Sequence, residues 1–158
     1  MKFKRLFLSL FLCLIIFSVS IHASTTSNDA HKQVLETYIS KLTQIQKELS
    51  SLSDALNAKN SKAKCNIGFN FINKQLDDLL QSMNTYSDSL ASNSPDQKEI
   101  LLLINATNFL KCALLELDAI SCNSSSLDTL LILKNYFKFV DLSEQLINTV
   151  NESLSSTS

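Results

Sequence analysis

Few side chains in this sequence have the types and spacing that covalent chemistry needs. A thiol beside an imidazole makes a nucleophile and base pair, and Cys112 and His31 have the right types. Nothing in the sequence brings these two residues together, because they lie far apart on separate predicted helices. Asp77 and Asp78 are adjacent, so on a helix they point to different sides and do not form a close carboxylate pair.

Sequence patterns for metal or phosphate binding are also missing. The chain contains no HExxH, no CxxC and no acidic calcium loop, which are the usual spacings of protein metal ligands. Its single glycine, Gly68, cannot form a glycine-rich phosphate loop. We therefore expect a protein that is not an enzyme and needs no cofactor.

The N-terminal residues have the three parts of a secretory signal. A basic start with Lys2, Lys4 and Arg5 precedes the apolar run "LFLSLFLCLIIFSVSI", and Ala23 follows as a small residue at a cleavage point. Cleavage after Ser20 and retention as an anchor are the alternatives, but the apolar run is short for a membrane span. The sequence predicts a signal peptide at residues 1–23, one mature domain at 24–158, and a secreted protein, extracellular or periplasmic, with no stable membrane anchor.

Composition narrows the class of partner. The formal net charge of −1 becomes about −4 when the signal peptide removes three positive residues, and no arginine follows Arg5. Arginine is the preferred reader of phosphates and base edges, so the composition argues against a nucleic acid partner. One glycine and one proline in 158 residues argue against β architectures, whose turns use both.

Two long stretches have apolar residues at alternating steps of three and four, which is typical of helices packed at a shallow angle, as in coiled coils. A third helix begins at "SPDQ", where Ser94 and Gln97 have capping-box spacing around Pro95. Short polar connections favour antiparallel neighbours. The sequence predicts an all-α, up-down-up-down antiparallel four-helix bundle with helices near 29–57, 63–91, 95–121 and 126–154.

The stretch "EILLLINATNFLKCALLELDAISC" is the most apolar one after the N-terminus. On a helical wheel its apolar residues fill one arc of roughly 140°, and five strongly polar residues lie on the rest, which favours a core helix over a membrane span. Four large apolar residues fall on the mixed side. We expect them to pack against a neighbouring helix or to form a partner or homodimer surface; they are Ile100, Leu101, Ile104 and Leu115.

Three cysteines follow the predicted cleavage site, and in an oxidising compartment two of them should pair. Cys112 and Cys122 are ten residues apart on one predicted helix, about 15 Å along its axis, which is too far for a disulfide. Helix lengths place Cys122 level with Cys65, so the sequence predicts a Cys65–Cys122 bridge. Cys112 is then an inert thiol or forms an intermolecular disulfide.

Two surface features have ordinary explanations besides functional ones. Sequons for N-glycosylation occur at Asn105, Asn123 and Asn151, and a glycan on Asn105 would argue against a partner surface on that side of helix 3. Three lysines, at 59, 62 and 64, cluster in the connection before helix 2. They could meet an anionic partner or a membrane headgroup, although such a cluster is usually a solvated connection.

The segments "CNIGFNFINKQLDDLL" and "NATNFLKCALLELD" resemble parts of the secreted plant invertase and pectin methylesterase inhibitors. The resemblance implies a four-helix bundle with a disulfide between helices 2 and 3, and it would favour Cys65–Cys112. It covers two helices, consists mostly of general helix pattern, and lacks the N-terminal cysteine pair of that family. The chain is therefore not assigned to it.

The sequence supports three hypotheses for function. The first is a secreted protein that acts by non-catalytic protein–protein interaction, and a secreted enzyme inhibitor is one form of it. The second is a carrier of a small apolar ligand in the bundle core, suggested by six aromatic residues near the helix seams: Phe69, Phe71, Phe109, Tyr136, Phe137 and Phe139. The third, a membrane-active bundle, is disfavoured by the low positive charge.

Overall fold

The chain folds into four α-helices, which a computed structural model places at α1 (Lys2–Asn57), α2 (Lys62–Ser89), α3 (Pro95–Cys122) and α4 (Ser126–Ser156). The structure describes the backbone of residues 2–57, 62–122 and 126–156, and the side chains of residues 29–56, 66–120 and 127–156. These ranges contain no strand. The predicted all-α class is confirmed, and the arrangement is compatible with a helical bundle.

The chain divides into two units, Met1–Val34 and Leu35–Ser158. The first unit is the N-terminal part of α1. It contains the predicted signal peptide, whose side chains lie outside the described residues, so the signal peptide stays a prediction. The second unit contains the rest of α1 together with α2, α3 and α4.

Regular apolar seams on α1 and α2 form one side of the core of the second unit. The period near 3.5 residues brings these side chains to one face of each helix. The predicted seam residues are buried from Leu35 to Leu52 on α1 and from Phe69 to Met83 on α2. On α1 they are Leu35, Tyr38, Leu42, Ile45, Leu49 and Leu52, and on α2 they are Phe69, Ile72, Leu76, Leu79 and Met83.

The start of α3 is fixed by side-chain caps. Ser94 Oγ accepts a hydrogen bond from the Gln97 backbone N–H at 3.1 Å, as the capping-box pattern predicts. The Gln97 side chain accepts in return from the backbone N–H of Asn93 at 2.7 Å, one residue earlier than in the usual box. Asn93 adopts a left-handed backbone with φ of 61°, which asparagine tolerates better than most residues.

Helix α3 lies between two neighbours, because it packs on both α2 and α4. Its residues Pro95–Ile120 are long and apolar enough to cross a membrane by length and composition, a test that core helices also pass. Its apolar arc is buried within the second unit, with five side chains fully inaccessible: Leu103, Ala106, Leu110, Ala113 and Leu117. Burial of this arc favours the core-helix interpretation.

Candidate functional site

The predicted interaction surface on α3 needs one correction. Ile100 is 0 % exposed and belongs to the core, so its assignment to a surface is wrong. Thr107, seven residues further on the same face, is also fully buried and donates its hydroxyl to the Leu103 carbonyl at 2.8 Å. The buried arc of α3 is therefore displaced toward Ile100 relative to the wheel, because Leu102, Phe109 and Ile120 at its other edge are only partly buried.

The other predicted residues remain on the outside of α3 to different degrees. Leu101 is 44 % exposed and Leu115 is 67 % exposed, whereas Ile104 is only partly exposed. Fourteen residues separate the two leucines, about 21 Å along the helix axis. The exposed side chain of Asn108 lies midway between them on the same face.

Absence of charge distinguishes this face of α3. We call it the α3 strip, defined by Leu101, Ile104, Asn105, Asn108, Cys112, Leu115 and Ala119, which share about 100° of the wheel. Charged residues border the strip but are engaged elsewhere. Lys111 forms an ion pair with Asp77 of α2, and Glu116 accepts a hydrogen bond from Asn135 of α4 at 3.2 Å. A charge-free strip on a charged surface has the composition of an interface centre.

A thiol and a sequon lie within the α3 strip. Cys112 is a free cysteine of intermediate exposure, so a partner that covers the strip should slow its reaction with a thiol reagent. Asn105 is exposed, so a glycan there would occupy the strip. Both residues can therefore report whether the strip is covered.

Some predicted site residues lie outside the described side chains. The side chains of Cys65 and Cys122, and all of Asn123, lie outside the described residues. The Cys65–Cys122 bridge therefore stays a prediction. Asn151 is exposed on α4, where a glycan has room.

A groove of about 540 Å³ runs between α1 and α2. Seven of its ten lining residues are polar or charged, and Gln75 of α2 donates to Glu48 of α1 at 2.7 Å within it. Next to it, the Tyr38 hydroxyl is 3.0 Å from the Ser82 hydroxyl. Polar groups that already bind each other do not make the apolar cavity that a carrier of small apolar molecules needs.

Burial raises the pKa of two tyrosines. For Tyr136, loss of solvation is the main cause and the charge of Asp54 adds to it. For Tyr86, loss of solvation again comes first, followed by the charge of Asp96 and the neighbouring Tyr38. A raised pKa keeps each phenol neutral, so these groups serve packing and are not activated nucleophiles.

The sequence predicts Phe71 and Phe137 near the helix seams, but both are exposed, together with three leucines of α4. Leu127, Leu130, Leu131 and Phe137 are 74 %, 66 %, 59 % and 62 % exposed. On α2, Ile67 and Phe71 are also exposed, at 72 % and 59 %. The sequence contains a signal for this exposure, because the three leucines share the wheel side of Lys134 and Lys138, whose charges favour solvent.

Comparison of the chain with protein-family models, with curated proteins and with solved structures finds no match. The similarity to the plant inhibitor family therefore rests only on the two helical segments quoted above. The function has to be inferred from the surfaces of the molecule itself.

Proposed function

We propose that this protein is secreted and acts by non-catalytic protein–protein interaction, with the α3 strip as the contact surface. The observation that carries the proposal is the charge-free strip, which presents exposed Leu101 and Leu115 beside the partly exposed Cys112. Interface centres are depleted of charge and enriched in large apolar contacts. A homodimer formed through the same strip is one version of this interaction.

The finer architecture belongs to the same proposal, as an up-down-up-down bundle. Contacts between α1 and α2 support it, because partner numbers fall on α2 as they rise on α1: Tyr38 with Ser82, Glu48 with Gln75, and Leu52 against Gly68. Contacts between α3 and α4 follow the same rule, since Glu99 binds Ser153 and Glu116 binds Asn135.

Secretion and the disulfide complete the proposal. Cleavage after Ala23 would deliver residues 24–158 to an oxidising compartment. The ion pair between Asp77 and Lys111 sets the register of α2 and α3. Cys65 precedes Asp77 by twelve residues, and Cys122 follows Lys111 by eleven. Because α2 and α3 are antiparallel in this proposal, these nearly equal distances from the ion pair support pairing of the two cysteines.

The test is affinity capture by residues 24–158 from the fluid into which the protein is secreted. We expect the wild-type chain to retain a specific protein or a second copy of itself. The bound partner should protect Cys112 from alkylation. A double change, Leu101→Asp with Leu115→Asp, should weaken binding more than about tenfold, because it puts charge into a desolvated contact.

The matched control is Leu127→Asp, which makes the same substitution at an exposed leucine outside the α3 strip. It should retain the partner with unchanged affinity, and circular dichroism should show the same helix content for all variants. Capture of no protein, or equal retention by the double variant, would refute the proposal. A native mass spectrum showing a bound small molecule that is lost on denaturation would favour the carrier hypothesis.

A further inference from the structure

The first three turns of α4 present an apolar surface that remains exposed among the described residues of Leu35–Ser158. We define the α4 stripe as Leu127, Leu130, Leu131 and Phe137, each at least 59 % exposed. Spacings of three, four and seven residues place them on one side of the helix over about 15 Å. Together they expose roughly a few hundred Å² of apolar surface, which is comparable to the largest patch on a typical monomer, and such patches are often functional.

The apolar character ends abruptly along the same side of the helix. Beyond Phe137 the outward positions are Asp141, Glu144, Gln145 and Asn148, all of them exposed. These residues continue the wheel positions of the α4 stripe by whole turns. Both halves of α4 pack on α3 through the opposite side of the helix. The change from apolar to polar residues on the outward side therefore reflects what contacts that side and not the packing of α4 on α3.

Positive charge accompanies the α4 stripe. Lys134 and Lys138 are exposed on the same side of the helix. Among the described residues, the end of the bundle that holds the stripe, residues 54–56, 66–75, 115–120 and 127–138, contains three lysines and four acidic residues. The other described residues from Leu35 onward contain four lysines and ten acidic residues. Most of the acidic excess among the described residues therefore lies away from the α4 stripe.

This distribution decides between two occupants of the α4 stripe. A second copy packed stripe to stripe would place Lys134 and Lys138 of both chains in one contact, without acidic partners on the stripe itself. A surface of anionic phospholipid accepts both components, because leucine and phenylalanine enter the interface while lysine stems reach up to the headgroups. Lysines near such a surface are attracted individually.

We propose that the α4 stripe docks this protein peripherally on an anionic phospholipid surface, with Leu130 and Phe137 inserted and Lys134 and Lys138 at the headgroups. The helix lies in the plane of the interface and does not span it. The site is independent of the proposed protein contact, because the α3 strip and the α4 stripe share no residue.

The experiment is co-sedimentation of residues 24–158 with vesicles of phosphatidylcholine alone or with about 30 mol% phosphatidylglycerol. We expect the anionic vesicles to bind at least tenfold more tightly, and about 0.5 M salt to weaken that binding. Lys134→Gln with Lys138→Gln should weaken it roughly fivefold for each lysine removed. Leu130→Asp with Phe137→Asp should abolish binding to both kinds of vesicle.

Two control variants separate this proposal from folding defects and from the protein contact. Asn148→Asp adds the same charge on the same side of α4, five turns from Leu130, and should leave vesicle binding unchanged. Leu115→Asp should also leave it unchanged, even if it disrupts protein capture. The proposal is overturned if the wild-type chain binds neither kind of vesicle. It is also overturned if Leu130→Asp with Phe137→Asp leaves vesicle binding unchanged. A dimer that Leu130→Asp dissociates, without vesicle binding, identifies a second copy as the occupant and also overturns it.

Discussion

Neighbouring residues on α3 give a direct test of how that helix is oriented. Ile100 is 0 % exposed, whereas Leu101 is 44 % exposed. Truncating each to alanine removes a similar number of carbon atoms, so the two variants differ mainly in where those atoms were. The comparison therefore measures the packing environment with the chemistry of the substitution held almost constant.

The expected magnitudes follow from burial. Ile100→Ala should lower the free energy of unfolding by about 2–5 kcal/mol, because transfer energy is lost and a cavity opens among packed neighbours. Leu101→Ala should cost about 1 kcal/mol or less, since nearly half of its side chain already contacts water and no closed cavity forms. Against a total stability of roughly 5–15 kcal/mol, the first change removes a large fraction of the stability.

Urea denaturation followed by circular dichroism measures both values on the same chain. The slope of unfolding free energy against urea should stay constant, so that the shift in midpoint reports stability alone. Equal losses for the two variants, or a larger loss for Leu101→Ala, would contradict the orientation of α3. That result would also remove the physical basis of the α3 strip.

Three further predictions test other features of the described core. Ser143 is fully buried and its hydroxyl has no hydrogen-bond partner among the described residues. Ser143→Ala should therefore raise the free energy of unfolding by about 1 kcal/mol. A lower free energy of unfolding in urea denaturation would refute this. The raised pKa of Tyr136 means that an unfolded chain loses the phenol proton first, so wild-type stability should fall as pH rises above 10.0. Tyr136→Phe should reduce that fall in titrations of stability between neutral and alkaline pH, and an unchanged slope would contradict the stated cause. Unreduced peptide maps of the secreted protein should join Cys65 to Cys122 and find Cys112 alkylated, whereas a bridge that includes Cys112 would rule out this pairing.

Local signals in the sequence were sufficient for much of the fold. The alternation of steps on α1 and α2 depends only on helix geometry, and every predicted seam residue from Leu35 to Leu52 is buried. The cap at Ser94 depends on residues within one turn, and its hydrogen bond to Gln97 is present. Such features are predictable because no distant part of the chain is needed to determine them.

Features that depend on neighbouring helices were less predictable. The sequence wheel placed Ile100 outside the apolar arc, but α3 packs on two helices, and its buried arc is displaced toward Ile100, with Leu102, Phe109 and Ile120 left partly exposed at the other edge. The first turns of α4 are apolar on nearly every side. Periodicity does place Tyr136 opposite Lys134 and Lys138 and Phe137 on their side, in agreement with buried Tyr136 and exposed Phe137, but it does not indicate what meets the exposed side.

Local charge distribution matters more than net charge for this molecule. The low positive charge of the whole sequence argues against a membrane role only if the total charge determines attraction to anionic lipid. At physiological ionic strength, charges interact over about 8 Å, which is shorter than the 15 Å or so covered by the α4 stripe. Acidic residues such as Glu36 and Glu152 near the opposite end are therefore screened from a surface that contacts Lys134 and Lys138.

If vesicle binding by the wild-type chain depends on these two lysines and not on charge changes at Glu152, the local distribution is the relevant quantity. If Glu152→Gln, which changes the net charge by the same single unit, strengthens binding as much as Lys134→Gln weakens it, the net charge governs the interaction and the α4 stripe has no special role.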